Sequence, residues 1–259
     1  MGNKKEVVLR AGQLTVSFDK TPVLWDVGFE ITGGQIVGII GQNGAGKSTL
    51  LKVALGIVKP ISGFIQFWDK PIYEVKQRIA YVPQKESVDW DFPITAYELV
   101  LMGRYGRLGL FRGLCKADKK AALDALELVG MAPFKDRQIS QLSGGQQQRL
   151  FFARALVQDA DVFLLDEPFQ GIDQATEKVL IEIMRSLKDK GKTLFVVHHD
   201  LSTLKEYFQS LIMLNNRLVA CGPVDKVLTK KNLSMTFGKA DSLFEEAKQL
   251  STLKSSGLE

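Results

Sequence analysis

Residues 36–49 read Ile36-Val37-Gly38-Ile39-Ile40-Gly41-Gln42-Asn43-Gly44-Ala45-Gly46-Lys47-Ser48-Thr49. An apolar run, a glycine-rich turn and then Lys-Ser-Thr at the head of a helical pattern satisfy G-x-x-x-x-G-K-[ST], the pattern of a phosphate-binding loop. The glycines let backbone N–H groups turn inward around phosphate oxygens, and the start of the helix adds partial positive charge. Lys47 is placed to reach the terminal phosphates, and the Ser48 hydroxyl to ligate Mg²⁺. A glycine turn before a purely structural helix is the plain alternative.

Outward from this loop, short apolar runs alternate with helical patterns, which predicts an α/β domain with a largely parallel core sheet. Strands are expected at 14–18, 27–32 and 36–40, broken by Thr21-Pro22 and Gly33-Gly34. A helix over 48–55 precedes strands at 64–68 and 79–82. Helices follow at 96–102, 117–129 and 145–157, with a basic, glycine-rich loop over 103–113. Strands return at 162–166, 193–197 and 211–214, and a helix covers 174–190. The simplest organisation is one mixed-sheet domain: a β-containing core over 1–88 and 159–229, a helical insert over 89–158, and a polar, short helical tail over 230–259.

Bulk properties bound the rest. A chain of 259 residues that is 45% hydrophobic buries a full core, and 24% charged residues is ordinary for a globular protein. The net charge of +5 fits a nucleotide, nucleic acid, an anionic membrane surface or nothing special. Cys115 and Cys221 lack metal-ligand spacing and read as free thiols of a reducing compartment. The N-terminus MGNKKEVVLR has no apolar signal core, and no apolar run reaches the ~20 residues that span a bilayer. Membrane contact is therefore expected only through a partner.

Two further segments carry chemistry. In Val162-Phe163-Leu164-Leu165-Asp166-Glu167 an apolar strand ends in two carboxylates, at the end where parallel sheets place ligand sites. Asp166 would hold the Mg²⁺ shell and Glu167 would act as general base on an attacking water. Strands often end in polar turns, so this pattern gains weight only from the phosphate loop before it. Leu142-Ser143-Gly144-Gly145-Gln146 is a second helix start, offering a serine hydroxyl and unobstructed glycine N–H groups to an anion. In isolation it reads equally as a serine N-cap with flexible glycines.

The order of these motifs resembles the nucleotide-binding subunits of ABC transporters over nearly the whole chain. The resemblance implies a P-loop NTPase core of the ABC ATPase type, with an antiparallel β subdomain and a helical insert. It implies ATP as the nucleotide and two copies of the chain closed head to tail around two ATP molecules. Residues 142–146 are identical to the family's signature sequence, which implies that Ser143, Gly144, Gly145 and Gln146 meet the γ-phosphate held by the opposite copy. Gln84 resembles the Q-loop glutamine that touches Mg²⁺ and water and senses the membrane partner. Phe18 sits where the family stacks an aromatic on adenine, although tyrosine is commoner there. Asp173, in Gly171-Ile172-Asp173, matches the D-loop acid. Of the adjacent His198 and His199, the pairing with Asp200 selects His199 as the switch histidine on the γ-phosphate and leaves His198 to packing or local hydrogen bonding.

Trp90-Asp91-Phe92-Pro93 and Met102-Gly103-Arg104-Tyr105-Gly106-Arg107 resemble the importers of manganese, zinc or iron. Trp90 and Phe92 either cap the helical insert or form a socket for a permease helix. The resemblance implies integral membrane permease subunits as partners, an extracytoplasmic metal-binding protein acting indirectly, and a peripheral position on the cytoplasmic face of the membrane. ATPases of iron-chelate and vitamin importers share much of this layout. Soluble relatives acting on nucleic acid or ribosomes usually carry long coiled-coil insertions or two cassettes, and this sequence has neither, so no nucleic-acid partner is expected.

Overall fold

The phosphate-loop segment folds as its pattern requires: Ile36–Gly41 is a strand buried at every position, and Lys47–Ala54 is a helix whose N-cap is Gly46. The structure, a computed structural model, describes residues 6–108 and 113–238. Residues 109–112 of the predicted basic loop and 239–259 of the predicted tail lie outside the described residues.

In chain order the strands are β1 (Val7–Ser17), β2 (Pro22–Thr32), β3 (Ile36–Gly41), β4 (Ser62–Phe67), β5 (Ile79–Val82), β6 (Val162–Leu165), β7 (Thr193–Val197), β8 (Ser210–Asn215) and β9 (Arg217–Pro223). The helices are α1 (Lys47–Ala54), α2 (Ile72–Val75), α3 (Ala96–Met102), α4 (Lys116–Leu128) and α5 (Gly144–Leu156). They continue with α6 (Gln174–Asp189), α7 (Leu204–Tyr207), α8 (Val224–Val227) and α9 (Lys230–Phe237). The chain divides into two compact units, one of residues 76–194 and the other of the described residues on either side of that span.

The flanking unit holds an antiparallel sheet of order β2-β1-β4. Along β2 buried and exposed positions largely alternate, the mark of a strand with one wet face, and Leu14, Val16, Leu24 and Val27 are fully buried. The same unit contains β3 paired in parallel with β8, and β8 paired antiparallel with β9. In the unit of residues 76–194, β5 and β6 pair in parallel, and α3, α4 and α5 pack together over a core that includes Val100, Leu126, Leu150 and Phe152. Its helix starts are well capped. Thr95 and Glu98 close a capping box on α3, and Ser143 and Gln146 another on α5.

The predicted helices and strands are present, with shifts that have local causes. β1 begins at Val7, seven positions before the expected start at Leu14, because its first residues pair with both β2 and β4. Pro22 opens β2 instead of breaking it; a strand's first residue tolerates a missing N–H. β4 ends at Phe67 because Trp68 and Asp69 take φ values of 51° and 58°, which turns the chain back toward Lys70. Strand β9 has no counterpart among the expected elements.

Candidate functional site

In the flanking unit the phosphate loop is drawn tight by its neighbours. Gly46 has φ 94°, and a Cβ there would stand 2.4 Å from Leu24 Cδ2 and 2.9 Å from the Val23 carbonyl oxygen. Only glycine fits. The Lys47 side chain is buried, and its Nζ donates to the carbonyls of Gly41 and Gln42, each at 2.9 Å. Gln42, Asn43 and Gly44 are exposed, Ala45 is buried, and Ser48 and Thr49 are half-buried. After β1, the Ser17 hydroxyl bonds the carbonyls of Asp19 and Thr21, tying the turn and leaving the Phe18 ring 61% exposed.

The adjacent histidines have opposite surroundings. His198 is buried with its ring edge on Phe208, centroids 5.2 Å apart, and its Nε2 lies 2.7 Å from Thr203 Oγ1. The Thr203 hydroxyl also lies 3.2 Å from the Asp200 carbonyl, so it ties the ring to the turn after β7. Burial pushes the His198 imidazole down to about 4, outweighing the opposing pull of Asp200. A neutral ring locked in this way packs. His199 is exposed.

In the unit of residues 76–194, Gln84 and Glu167 come together at the ends of β5 and β6. Gln84 Nε2 donates to Glu167 Oε2 at 2.9 Å and to Gln170 Oε1 at 3.3 Å. Glu167 holds φ 53°, a region that side-chain-bearing residues rarely enter and that clusters at functional sites. Asp166 is 1% exposed, with its N–H on the Val82 carbonyl at 3.0 Å. Burial and then the Asp166 charge push the Tyr81 hydroxyl up to about 12.

The start of α5 is the other element of this unit's chemistry. Ser143 Oγ accepts from Gln146 N at 3.4 Å, and Gln146 Oε1 accepts from Ser143 N at 2.9 Å. Ser143 is exposed, and Gly144, Gly145 and Gln146 are half-buried. A Cβ on Gly144 would meet Lys85 Nζ at 2.6 Å, and one on Gly145 would meet Asp173 Oδ2 at 3.8 Å. Lys85 and Asp173 therefore flank the signature glycines. Asp173 caps α6 by accepting from the Thr176 N–H at 2.9 Å and hydroxyl at 3.0 Å, and these bonds lower its pKa.

Two residues of these regions, Asn216 and Lys85, have roles that the sequence reading did not assign, and a third, Trp90, takes the packing role that it left open. Asn216, in the turn between β8 and β9, donates its N–H to the Ala45 carbonyl at 3.3 Å and its Nδ2 to the Val23 carbonyl at 3.1 Å, so it buttresses the phosphate loop. Asn215-Asn216 between two apolar runs was the available hairpin signal. Lys85, beside Gly144, carried no signal. Trp90 is only half-exposed: its Nε1 donates to the Lys85 carbonyl at 3.0 Å and its ring meets Phe151 edge-on at 5.2 Å. Of the aromatic pair, Phe92 alone stands well out, 56% exposed.

A family model described as ABC transporter matches residues 24–170. The chain is 52% identical over 225 residues to the manganese transport system ATP-binding protein MntB of Bacillus subtilis (strain 168), covering 87% of this chain and 90% of that one. It is 50% identical over 230 residues to the zinc transport system ATP-binding protein TroB of Treponema pallidum (strain Nichols), covering 89% and 86%. A solved ATP binding subunit of an ABC transporter superposes with TM-score 0.75 at 26% identity, over 93% of this chain and 99% of that one.

Proposed function

The chain belongs to the ABC transporter family, and from that membership we propose that it is the ATP-hydrolysing subunit of a system importing manganese, zinc or iron. The relatives named for manganese and zinc transport support the cargo class. The observation that carries hydrolysis is the 2.9 Å bond from Gln84 to Glu167, which holds a general base at the end of a buried strand.

The residues present suit the nucleotide. Gly46 admits no side chain, the loop heads α1, and Lys47 supplies an ammonium that now rests on the loop's own carbonyls. In our reading Lys47 transfers to the terminal phosphates, Gln42 to Thr49 wrap them, and the exposed Phe18 ring stacks on adenine. Ser48, Asp166 and Gln84 each offer an oxygen of the hard kind that Mg²⁺ takes, and in this reading they would hold it. Mg²⁺ bound there would neutralise charge developing on the phosphates. Glu167 accepts a proton from water as its oxygen bonds the γ-phosphorus and the bond to ADP breaks, releasing ADP and phosphate. Exposed His199 contacts the γ-phosphate, and His198 stays in the interior.

Ser143, Gly144, Gly145 and Gln146 act on the nucleotide held by a second copy, so the working form is a dimer closed by two ATP molecules, with Asp173 beside the signature glycines. Closure on ATP and reopening after hydrolysis shift the populations of a membrane permease. Phe92, Tyr105 and Met102 are 56%, 53% and 38% exposed, which supports a docking surface for a permease helix on the cytoplasmic face. Among the described residues no helix is long and apolar enough to cross a membrane. Metal capture belongs to an extracytoplasmic binding protein.

Glu167→Gln tests the reading. ATP binding should persist, hydrolysis should slow by about 10²–10⁴-fold, and an ATP-bound dimer should accumulate on size-exclusion chromatography. A variant that hydrolyses at the normal rate moves the base elsewhere.

A further inference from the structure

The unit of residues 76–194 contains a cleft of about 420 Å³ that none of the nucleotide residues touches. Its walls are Gln77, Arg78, Arg104, Arg107, Leu108 and Asp118. Three guanidinium groups line it, each paired with its own carboxylate, and of those only Asp118 is in the wall, where it is buried. Asp118 is 3% exposed; its Oδ1 takes Arg104 Nε at 2.9 Å, and its Oδ2 takes the Cys115 N–H and thiol, both at 3.0 Å. These bonds, those from Cys115 first, hold its carboxyl well below the usual carboxylate range. The acid is thus ionised and committed to the protein.

Arg104 and Arg107 are fixed from behind while keeping donors in hand. A guanidinium carries five N–H donors. Arg104 commits Nε to Asp118 and Nη1 to the Val157 carbonyl at 2.7 Å, which leaves Nη2. Arg107 commits Nη2 to the Asp159 carbonyl at 2.8 Å and its carboxylate at 3.3 Å, which leaves Nε and Nη1. Arg78 is held by Asp161 at 2.7 Å. The Gln77 amide adds neutral donors to the same wall. Pre-oriented guanidiniums with unspent N–H groups are usual partners of phosphate oxygens. The volume falls in the range of small-molecule sites, well above what a halide ion needs.

We propose that this cleft is a second anion site, which takes a polyvalent phosphate group between Arg104, Arg107 and Gln77. It stands independently of the nucleotide reading. Occupancy would stiffen the turn after α3 against the end of α5, because Arg104 already bonds Val157 there. That helix carries the signature residues at its other end, so the ligand would have a route to bias ATP turnover.

Tripolyphosphate, titrated calorimetrically into the full chain carrying Lys47→Ala, is the test. That background removes a charge of the phosphate loop and leaves the cleft intact. One binding event is expected, weakened about tenfold or more by adding Arg107→Gln, and likewise by adding Gln77→Glu, which puts a carboxylate against the ligand. Arg107 is partly exposed, so its exchange should leave the thermal melt of the chain nearly unchanged. No heat in the Lys47→Ala chain, or an affinity untouched by both cleft changes, overturns the proposal. A second arm identifies the source of the phosphate by flotation with phosphatidylcholine vesicles with and without phosphatidic acid. Retention that needs phosphatidic acid and disappears with Arg107→Gln assigns a lipid headgroup. Tripolyphosphate binding without such retention assigns a soluble phosphate, and either result supports the site.

Discussion

His198 and His199 are neighbours in sequence with separate physical tasks. The folded chain holds His198 neutral, with a pKa near 4 against 6.5 for a free imidazole. Protonation therefore favours the unfolded chain. The stabilising contribution of the neutral ring is complete above pH 6.5 and is lost as pH falls toward 4, amounting to about 2 kcal/mol by pH 5. His198→Gln should flatten that part of the pH dependence, read as urea midpoints at pH 7.5 and pH 5, while ATP turnover at neutral pH stays substantial. His199→Ala should do the opposite: urea midpoints should stay near normal and turnover should fall by about 10²-fold or more. A stable but inactive His198→Gln chain would transfer the γ-phosphate role to His198. At this scale the contiguous motifs were legible, since a phosphate loop must supply its glycines, lysine and hydroxyl from one short stretch. Asn216 and Lys85 were not, because their partners, Ala45 and Gly144, lie far along the chain and come close only after folding.

The start of α5 shows how one element serves both fold and chemistry. Ser143 caps the helix, and under the proposed function the same hydroxyl and glycines would meet a partner's nucleotide. The two roles separate by substitution. Ser143→Ala removes the cap and should lower stability by about 1 kcal/mol. Ser143→Asp keeps a good cap and suits the helix dipole, so stability should return, yet a carboxylate facing phosphate should keep hydrolysis low. Calorimetric melts and turnover of both variants measure the two effects; recovery of turnover in Ser143→Asp would confine Ser143 to the cap. Elements with their own start and stop signals, such as α3 after Thr95, were legible nearly to the residue. β9 was not, because its positions are mostly half-buried and show no alternation. Its place is set by pairing with β8, a contact that periodicity cannot report.

At the scale of the molecule, what remains to be placed is the choice of cargo. Among the described residues no group of three or more His, Cys, Asp or Glu is arranged to hold a metal ion. Under the proposed function, selection of the ion would fall to the permease and the extracytoplasmic protein, with this chain supplying the energy for whichever ion they admit. Its relatives divide accordingly: at 52% and 50% identity, one is named for manganese and another for zinc. Family membership was legible from ordered motifs because every member must build the same nucleotide site, while cargo leaves only an indirect trace in Phe92 and the Met102 to Arg107 stretch, where a partner would dock. The direct measurement is uptake of radiolabelled manganese, zinc and iron by cells with and without this chain, using Glu167→Gln as the inactive control. We expect uptake of at least one of these ions to require the chain, and the control to match its absence. If uptake of all three is the same with and without the chain while uptake of an iron chelate or vitamin is lost, the chain serves the chelate branch. The ATPase assignment stands under either outcome, because the same phosphate loop and Glu167 would drive both.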